Sequence, residues 1–410
     1  MTDSSHILVL SHYFYPELNA PAHRIYDHAK IWIKQKVNVT VITNNPNHPH
    51  GEIFPGYQND YSDKIYKGVR VIRVKTYMTP NSGFFKRILN YLTFMIRAIL
   101  SGRKIDNVDI VFATSPQLFC GIAGAILSKI LKKPFVLEVR DIWPESIITL
   151  GVIKNKYIIE VLKYLEKWMV KSAYKVIVVT KGIEDHIRSL SHNNILLIPN
   201  GVFIKEIKEI QLRPVKKEEI VFAYFGTIGM AHNVEFIINA ARNFKNNNKI
   251  KFVIAGDGSE RKNVLQSAAS LDNVKIFPQL SRTKLLELYK FIDVGLVTLK
   301  NMDQFKGALP SKLFEYLSMG KPVILNMPEG EATELIQKYS CGITTKPDSE
   351  DELYSAMIRY INEPELYKLH GQNGRILVEK HFNRSNLAIQ LISALFPKMK
   401  SNEKFNIDQI

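Results

Sequence analysis

The feature that most constrains this chain is one pattern used twice. Short apolar runs rich in β-branched residues recur, separated by longer amphipathic stretches. In the first half the runs fall at 7–10, 37–42, 69–74, 110–112, 135–139 and 176–179. A strand that is apolar at almost every position has no polar face to offer water, so it belongs in a parallel sheet covered on both sides. A second series follows Gly201, at 220–224, 252–255, 274–277, 294–297, 322–325 and 342–344. The expected architecture is therefore α/β, with two doubly wound, Rossmann-like domains. A length of 410 residues, 46% of them hydrophobic, also suits two cores better than one.

The spacing predicts a first domain over 1–200 and a second over 201–382. The stretch 204–219, rich in Lys and Glu with Pro214, reads as the linker. Leu387, Ile389, Leu391, Ile392 and Leu395 recur at helical spacing, so 383–410 is expected to form a closing helix with a polar tail from Ser401. Two such domains facing each other would leave a crevice at the carboxyl ends of their strands, where open α/β sheets bind ligands.

Composition narrows the classes further. Cys120 and Cys341 stand far apart without CxxC or Cys/His spacing and read as reduced structural thiols. No basic start followed by an apolar core marks a secretion signal, so a cytoplasmic location is expected. The most apolar stretch, 84–100, is broken by Lys86, Arg87, Asn90 and Arg97 and is not expected to span a bilayer. The net charge of +16 is uneven, with 26 basic against 15 acidic residues in 1–200 and 29 against 24 in 201–410. Such an excess suits anionic lipid or phosphorylated substrates. Aromatic residues are not interleaved with the basic ones as a single-strand groove requires, so nucleic acid is not an expected partner. The stretch from Gly83 to Lys104 joins Lys86, Arg87, Arg97, Arg103 and Lys104 to many apolar residues without one acidic group. It reads as a basic amphipathic helix that docks on an anionic membrane, or else as a helix buried in the first core.

The sharpest chemical signal is Leu309-Pro310-Ser311-Lys312-Leu313-Phe314-Glu315, followed by Gly320-Lys321-Pro322. Ser311 is expected to cap a helix that ends at Gly320. Unpaired N–H groups at the helix start and the Lys312 charge suit a diphosphate, while Glu315, one turn on, suits the hydroxyls of a ribose. An ordinary amphipathic helix with a solvated Lys/Glu pair is the alternative. The loop after the first strand, Tyr13 to Arg24, includes Glu17, Asn19 and Arg24 and runs toward a helix expected from Ile25; it is either a binding loop or a surface connection. Glu138-Val139-Arg140-Asp141-Ile142-Trp143-Pro144-Glu145 ends a strand in charges, which marks a site or an ion pair between Arg140 and Asp141. Gly226-Thr227 and Gly256-Asp257-Gly258 follow two strands of the second series and let backbone approach a ligand closely. Neither opens a dinucleotide fingerprint, and no acidic or Cys/His cluster predicts a metal, so neither dinucleotide nor metal cofactor is expected.

Taken in order, YPELNAPAHR, EVRDIWPES, IPNGV, YFGTIG, IAGDGSE and ALPSKLFEYLSMGKPVI resemble the GT-B glycosyltransferases of family 4 along nearly the whole chain. Within that family they are most similar to the WbuB-type enzymes of bacterial O-antigen and capsule synthesis. The resemblance implies a retaining, metal-independent transfer from a UDP-sugar, such as one carrying N-acetyl-L-fucosamine, to a polyprenyl-diphosphate-linked saccharide. It also implies work at the inner face of the plasma membrane and a closing helix that crosses back to the first domain. Glu315 matches the family's ribose-binding glutamate, with Ser311, Pro310, Leu309, Thr227, Gly226, Gly256, Asn19 and Arg24 around the donor. Lys312, Asp141, Arg140 and Glu17 stand where transfer chemistry is expected. The chain departs from the pattern in several places: Gly307 replaces the first glutamate of the E-x7-E motif, which leaves Asp303 as the nearest acid. Thr227 and His232 replace an Arg and a Lys, Asn19-Ala20 replaces paired glycines, and Arg140 replaces a His. A nucleotide-sugar epimerase and a non-catalytic membrane scaffold are the rival readings.

Overall fold

The computed structural model describes residues 5–17, 19–48, 50–79, 84–115, 117–145, 148, 153–191, 194–204 and 219–397. Of the linker expected over 204–219, residues 205–218 lie outside these, as do Gly83 and the tail from Ser401. The chain divides into two compact units, Met1–Pro199 with Ser385–Ile410, and Asn200–Arg384.

The first unit is built on β1 (His6–Leu10), β2 (Asn38–Asn44), β3 (Ser62–Tyr66), β4 (Val69–Val74), β5 (Ile110–Thr114), β6 (Phe135–Val139), β7 (Lys175–Val178) and β8 (Asn194–Leu197). Their order across the sheet is β3-β4-β2-β1-β5-β6-β7-β8, parallel throughout except for the β3–β4 pair. Leu8 of β1 lies against Thr40 on one side and Val111 on the other. The inner strands are buried on both faces, as their unbroken apolar character requires. Two strands are not among those expected. β3 reads SDKIY and is largely exposed at the sheet edge, and β8 is only half-buried at the other edge. A polar edge strand such as β3 is passed over by a search for continuous apolar runs, whereas β8 has one, Ile195-Leu196-Leu197, that the expected series omits.

Helices cover both faces of this sheet. α1 (Ala20–Lys34) and the closing helix, numbered α13 below (Arg384–Leu395), pack on one side with Trp32, Leu391 and Ile392 buried between them. The Trp32 indole N–H donates to Ala388 O at 3.0 Å, and Lys175 Nζ to Ala394 O at 3.0 Å. The other side carries α2 (Phe84–Gly102), α3 (Leu118–Leu131), α4 (Lys156–Ser172) and α5 (Lys181–Leu190). Among the described residues no helix is long and apolar enough to cross a membrane.

The second unit repeats the plan with β9 (Ile220–Phe225), β10 (Ile250–Ala255), β11 (Val274–Phe277), β12 (Val294–Thr298), β13 (Val323–Asn326) and β14 (Gly342–Thr345), all parallel in the order β11-β10-β9-β12-β13-β14. The helices between and after these strands are α6 (Val234–Arg242), α7 (Arg261–Ala268), α8 (Arg282–Tyr289), α9 (Ser311–Ser318), α10 (Glu331–Tyr339), α11 (Glu350–Asn362) and α12 (Pro364–His381). Apolar clusters fill both sides of this sheet. The strand order reverses between β9 and β12, and the carboxyl ends of strands beside such a reversal are where a ligand is expected.

Candidate active site

At that reversal the second unit opens its own sheet. The β9–β12 ladder holds only at Val294 with Phe222 and Gly295 with Ala223. Beyond it the ring of Tyr316, from α9, lies against Gly295, where a β-carbon would stand 2.3 Å from the ring. The Tyr316 hydroxyl donates to Ala223 O at 2.9 Å and accepts from Phe225 N at 2.8 Å. One side chain thus satisfies backbone groups that a neighbouring strand would otherwise pair, and it anchors α9 below the opening.

Lys312, in the first turn of α9, reaches into this opening. Its Nζ is shut off from solvent, has no hydrogen-bond partner among the described residues, and lies 3.7 Å from the centre of the Tyr224 ring. The residue as a whole is half-buried. Burial lowers the Lys312 pKa to about 7, against the raising influence of Glu315. The ring face offsets part of the desolvation, a contact worth about 2 kcal/mol when dry. Gly226, at φ +143°, makes the approach possible: a β-carbon there would lie 2.9 Å from both Cε and Nζ of Lys312. Gly256 fits under it, since a β-carbon at 256 would meet Gly226 O at 1.8 Å. His232 borders the same place. Burial first, and then the Lys312 charge, lower its pKa to about 4, and its Nδ1 is buried without a hydrogen bond among the described residues. A buried ammonium and a buried imidazole nitrogen, both without hydrogen-bond partners at a helix start, are the features of a pocket for an anion.

Glu315 is held from two sides. Its Oε1 accepts from Arg282 Nη1 at 3.0 Å and its Oε2 from the Tyr289 hydroxyl at 2.8 Å. Tyr289 is buried, and burial followed by the Glu315 charge raises its pKa well above the ordinary value, so it stays a donor. The carboxylate is half-buried, fixed in direction, and one helical turn from Lys312. Sequence reasoning placed Glu315 and Lys312 on one helix but missed Tyr224, Tyr289 and Tyr316 and the Arg282 partner. Tyr224, Tyr289 and Arg282 lie on other elements, and Tyr316, though on α9, carries no spacing signal for its turn into the sheet.

Two expectations for this unit, the cap and the end of α9, are corrected. Ser311 does not cap α9; it is the exposed first helical residue and Pro310 occupies the cap position without a side-chain bond. Proline has no N–H to satisfy and its fixed φ starts the helix. The helix ends at Ser318, and Gly320 follows at φ +65°. Asp303 does not turn inward in place of the glutamate missing at Gly307; it is exposed and pairs with Lys306 at 2.7 Å. Leu309 is buried, Thr227 is exposed, and the Thr227 carbonyl accepts from Tyr224 Oη at 2.6 Å.

In the first unit the charged motifs resolve into supports. Arg24 is buried; its Nε donates to Glu138 Oε1 at 2.9 Å, Nη1 to Pro199 O and Nη2 to Ile198 O, both at 2.9 Å. The expectation of phosphate contact for Arg24 is therefore corrected to a buried ion pair, because its donors are turned inward. Burial raises the Glu138 pKa, but Arg24, Arg140 and the Thr114 hydroxyl together outweigh it and hold the group below its usual value. Asn19 caps α1, accepting from Ala22 N at 2.9 Å, so that helix starts at Ala20 rather than Ile25 and Asn19 serves the helix. Glu17 is also turned inward: Oε1 accepts from Asn47 N and His48 N at 3.0 Å and Oε2 from Phe14 N at 3.4 Å. Burial lifts it to about 7 against those three donors. Its expected place in the transfer chemistry is replaced by a brace between two loops. Arg140 is half-buried, with its backbone N–H on Ser115 Oγ at 2.9 Å, and Asp141 is exposed at the end of the same strand.

Among the described residues, Glu145, Glu166 and His186 bring oxygen and nitrogen atoms within 4.8 Å of one another. His186 Nε2 is 2.9 Å from Glu166 Oε1, and Lys163 Nζ is 3.5 Å from Glu145 Oε1. A lysine at that distance already supplies the positive charge a cation would bring.

With this geometry in hand, the fold and family matches identify the class. The chain is a glycosyltransferase of the GT-B type. The Glycosyltransferase Family 4 model matches residues 22–206, and the model for glycosyl transferases group 1 matches residues 205–376, the stretch that carries Lys312 and Glu315. A protein of Pseudomonas aeruginosa named probable glycosyltransferase WbjE is 25% identical over 306 residues, 71% of this chain and 75% of its own. Three solved structures share the fold. Sucrose-phosphate synthase from Thermosynechococcus elongatus superposes with a TM-score of 0.74 at 16% identity, covering 97% of this chain and all of its own length. HepE of Anabaena, solved with UDP and glucose, gives 0.68 at 16% identity over 95% of this chain and 99% of its own. WaaG, a glycosyltransferase involved in lipopolysaccharide biosynthesis, gives 0.68 at 13% identity over 95% of this chain and 99% of its own.

Proposed function

We propose that this glycosyltransferase moves a hexosyl or N-acetylhexosaminyl unit from a UDP-sugar to a polyprenyl-diphosphate-linked saccharide in bacterial surface polysaccharide synthesis. N-Acetyl-L-fucosamine is the donor sugar that the family resemblance favours. The observation that carries the reading is the buried Lys312 ammonium, without a hydrogen-bond partner among the described residues, beside Gly226 and one turn from the braced Glu315. Lys312, the backbone around Gly226–Thr227 and the N–H groups at the start of α9 receive the diphosphate, and Glu315 receives the ribose hydroxyls on its remaining lone pairs while Tyr289 and Arg282 hold it in place. The structure solved with UDP and glucose and the lipopolysaccharide enzyme among the neighbours support a nucleotide-sugar donor and a surface-saccharide product.

The reaction is a retaining front-face substitution. The bond between the anomeric carbon and the β-phosphate oxygen breaks, the acceptor oxygen bonds to that carbon on the same face, and the acceptor proton passes to the departing phosphate oxygen. Charge grows on the β-phosphate, and the fixed cation at Lys312 and the helix start stabilise it by several kcal/mol. No metal is required. Helix α2 rests on the inner leaflet of the plasma membrane, where the acceptor lipid resides; its acid-free basic sequence supports this. The test is incubation with UDP-sugars in the presence and absence of a short-chain lipid-linked saccharide. Acceptor-dependent UDP release, an unchanged anomeric configuration and full activity in EDTA are expected. Acceptor-independent conversion of the donor means an epimerase instead, and no turnover with any donor means a non-catalytic scaffold. An inverted product removes the front-face step, and loss in EDTA restored by Mg²⁺ removes metal independence.

A further inference from the structure

Helices α2, α3 and α4 form one layer on the first unit's sheet, with α3 packed between the other two. Both outer helices carry apolar stripes that this packing leaves uncovered. On α2 the exposed positions are Phe85, Leu89, Ile96 and Leu100, which recur near one side of the helix. On α4 they are Tyr157, Val161 and Tyr164, at i, i+4 and i+7, with Ile158 beside them. Tyr157 is 85% exposed and Phe85 83%, and each stands in the first turn of its helix. α2 follows β4 and α4 follows β6, so in this parallel arrangement both first turns lie toward the carboxyl edge of the sheet.

Exposed lysines and arginines border both stripes. Lys86, Arg97 and Lys104 flank the one on α2, and Lys156, Lys167 and Lys171 the one on α4; Lys132 and Lys133 stand at the end of α3 between them. α2 has no acidic residue, and Glu160 is the single exposed acid of α4. An apolar stripe edged by basic groups matches an anionic lipid leaflet in both respects, because acyl chains take the stripe and headgroups take the charges. A second copy of the chain fits poorly, since a two-fold contact would set one lysine-edged face against another.

We infer that α4 is a second membrane anchor, so that the α2–α3–α4 layer docks on an anionic leaflet with the starts of α2 and α4 leading. This rests on the reading of a lipid-linked acceptor, and it gives that reading an orientation. The carboxyl edge of the first unit's sheet faces the lipid from which the acceptor comes.

The test uses the full chain and phosphatidylcholine vesicles with and without phosphatidylglycerol. The variants are Tyr157→Ser/Val161→Ser/Tyr164→Ser and Lys156→Ser/Lys167→Ser/Lys171→Ser, with Ile65→Ser on the edge strand β3 as control. Each basic group near an anionic leaflet multiplies partition about fivefold, so the lysine variant should lose about a hundredfold in sedimentation with anionic vesicles. The apolar variant should lose at least about tenfold, and the control should match the parent. All changed positions are exposed, and unchanged UDP affinity and circular dichroism confirm folding. If either triple variant sediments with anionic vesicles as well as the parent, α4 is not an anchor. The inference also falls if the parent binds neutral vesicles equally, or if it is a dimer that the tyrosine variant makes monomeric. Failure of the transferase reading is separate, since it shows as absent UDP binding and absent transfer in parent and variants alike.

Discussion

The Lys312 side chain states the chemistry of its pocket through its titration. Its pKa of about 7 rises once a diphosphate supplies negative charge. Between about pH 7 and the ordinary lysine value, binding therefore takes up a proton, so UDP affinity falls as pH rises, by up to about tenfold per unit. Lys312→Met should flatten that dependence above pH 7 in calorimetry and bind UDP more weakly at pH 7. The same linkage makes the empty protein less stable as pH falls toward 7, because the unfolded chain then holds the proton that the folded site resists. Tyr289→Phe tests the brace on Glu315. Removing one of its two donors loosens the carboxylate, so UDP affinity should drop about five- to tenfold while turnover at saturating donor stays within about twofold. A fall in turnover with unchanged affinity would place Tyr289 elsewhere in the mechanism. Lys312 and Glu315 are legible in the sequence because one helix carries both at a spacing with physical meaning. Tyr289 and Arg282 are not, because only the packing of α8 against α9 brings them to the carboxylate.

Between elements, the ion pair of Arg24 and Glu138 joins α1 to β6 and to the carbonyls at 198 and 199. Arg24→Met should cost about 3–5 kcal/mol in urea unfolding at pH 7, since Glu138 would be left buried without its hydrogen-bonded cation. The sign of the pH effect follows from the lowered Glu138 pKa. In the parent this carboxylate contributes stability above its unfolded value and loses it as pH falls through its folded one. In Arg24→Met the group resists ionisation, so the deficit against the parent should shrink as pH falls below about 5. An equal deficit at pH 7 and pH 4.5 would mean that packing, not charge, is what Arg24 supplies. The same residue shows why local sequence misleads. An arginine in a loop-to-helix segment suits phosphate binding as well as it suits a buried partner 114 positions away.

At the scale of the molecule, the closing helix α13 completes the first unit after the chain has built the whole of the second. Leu387, Leu391, Ile392 and Leu395 are buried against the cluster around Trp32. Each such side chain contributes about 1.5–3 kcal/mol, a total comparable with the whole stability of a domain. A chain ending at Arg384 should therefore melt its first unit far below the parent while the second retains its own transition and binds UDP. One unchanged transition in calorimetry would show α13 to be dispensable. The charge asymmetry belongs to this scale too, since the basic excess of the first half falls in part on the α2–α3–α4 layer.

The sequence by itself determined the two doubly wound sheets, twelve of the fourteen described strands and the helix that carries Lys312 and Glu315. These rest on periodicity and on short-range spacing, which any chain segment displays before it meets the rest of the molecule. Tertiary structure decided the edge strand β3, the inward turn of Glu17 and Arg24, the wedge of Tyr316 over Gly295 and the partners of Glu315. It also decided which apolar residues of α2 and α4 remain uncovered. Each of these depends on which distant group occupies the neighbouring space, and a linear pattern records residue types without recording their neighbours.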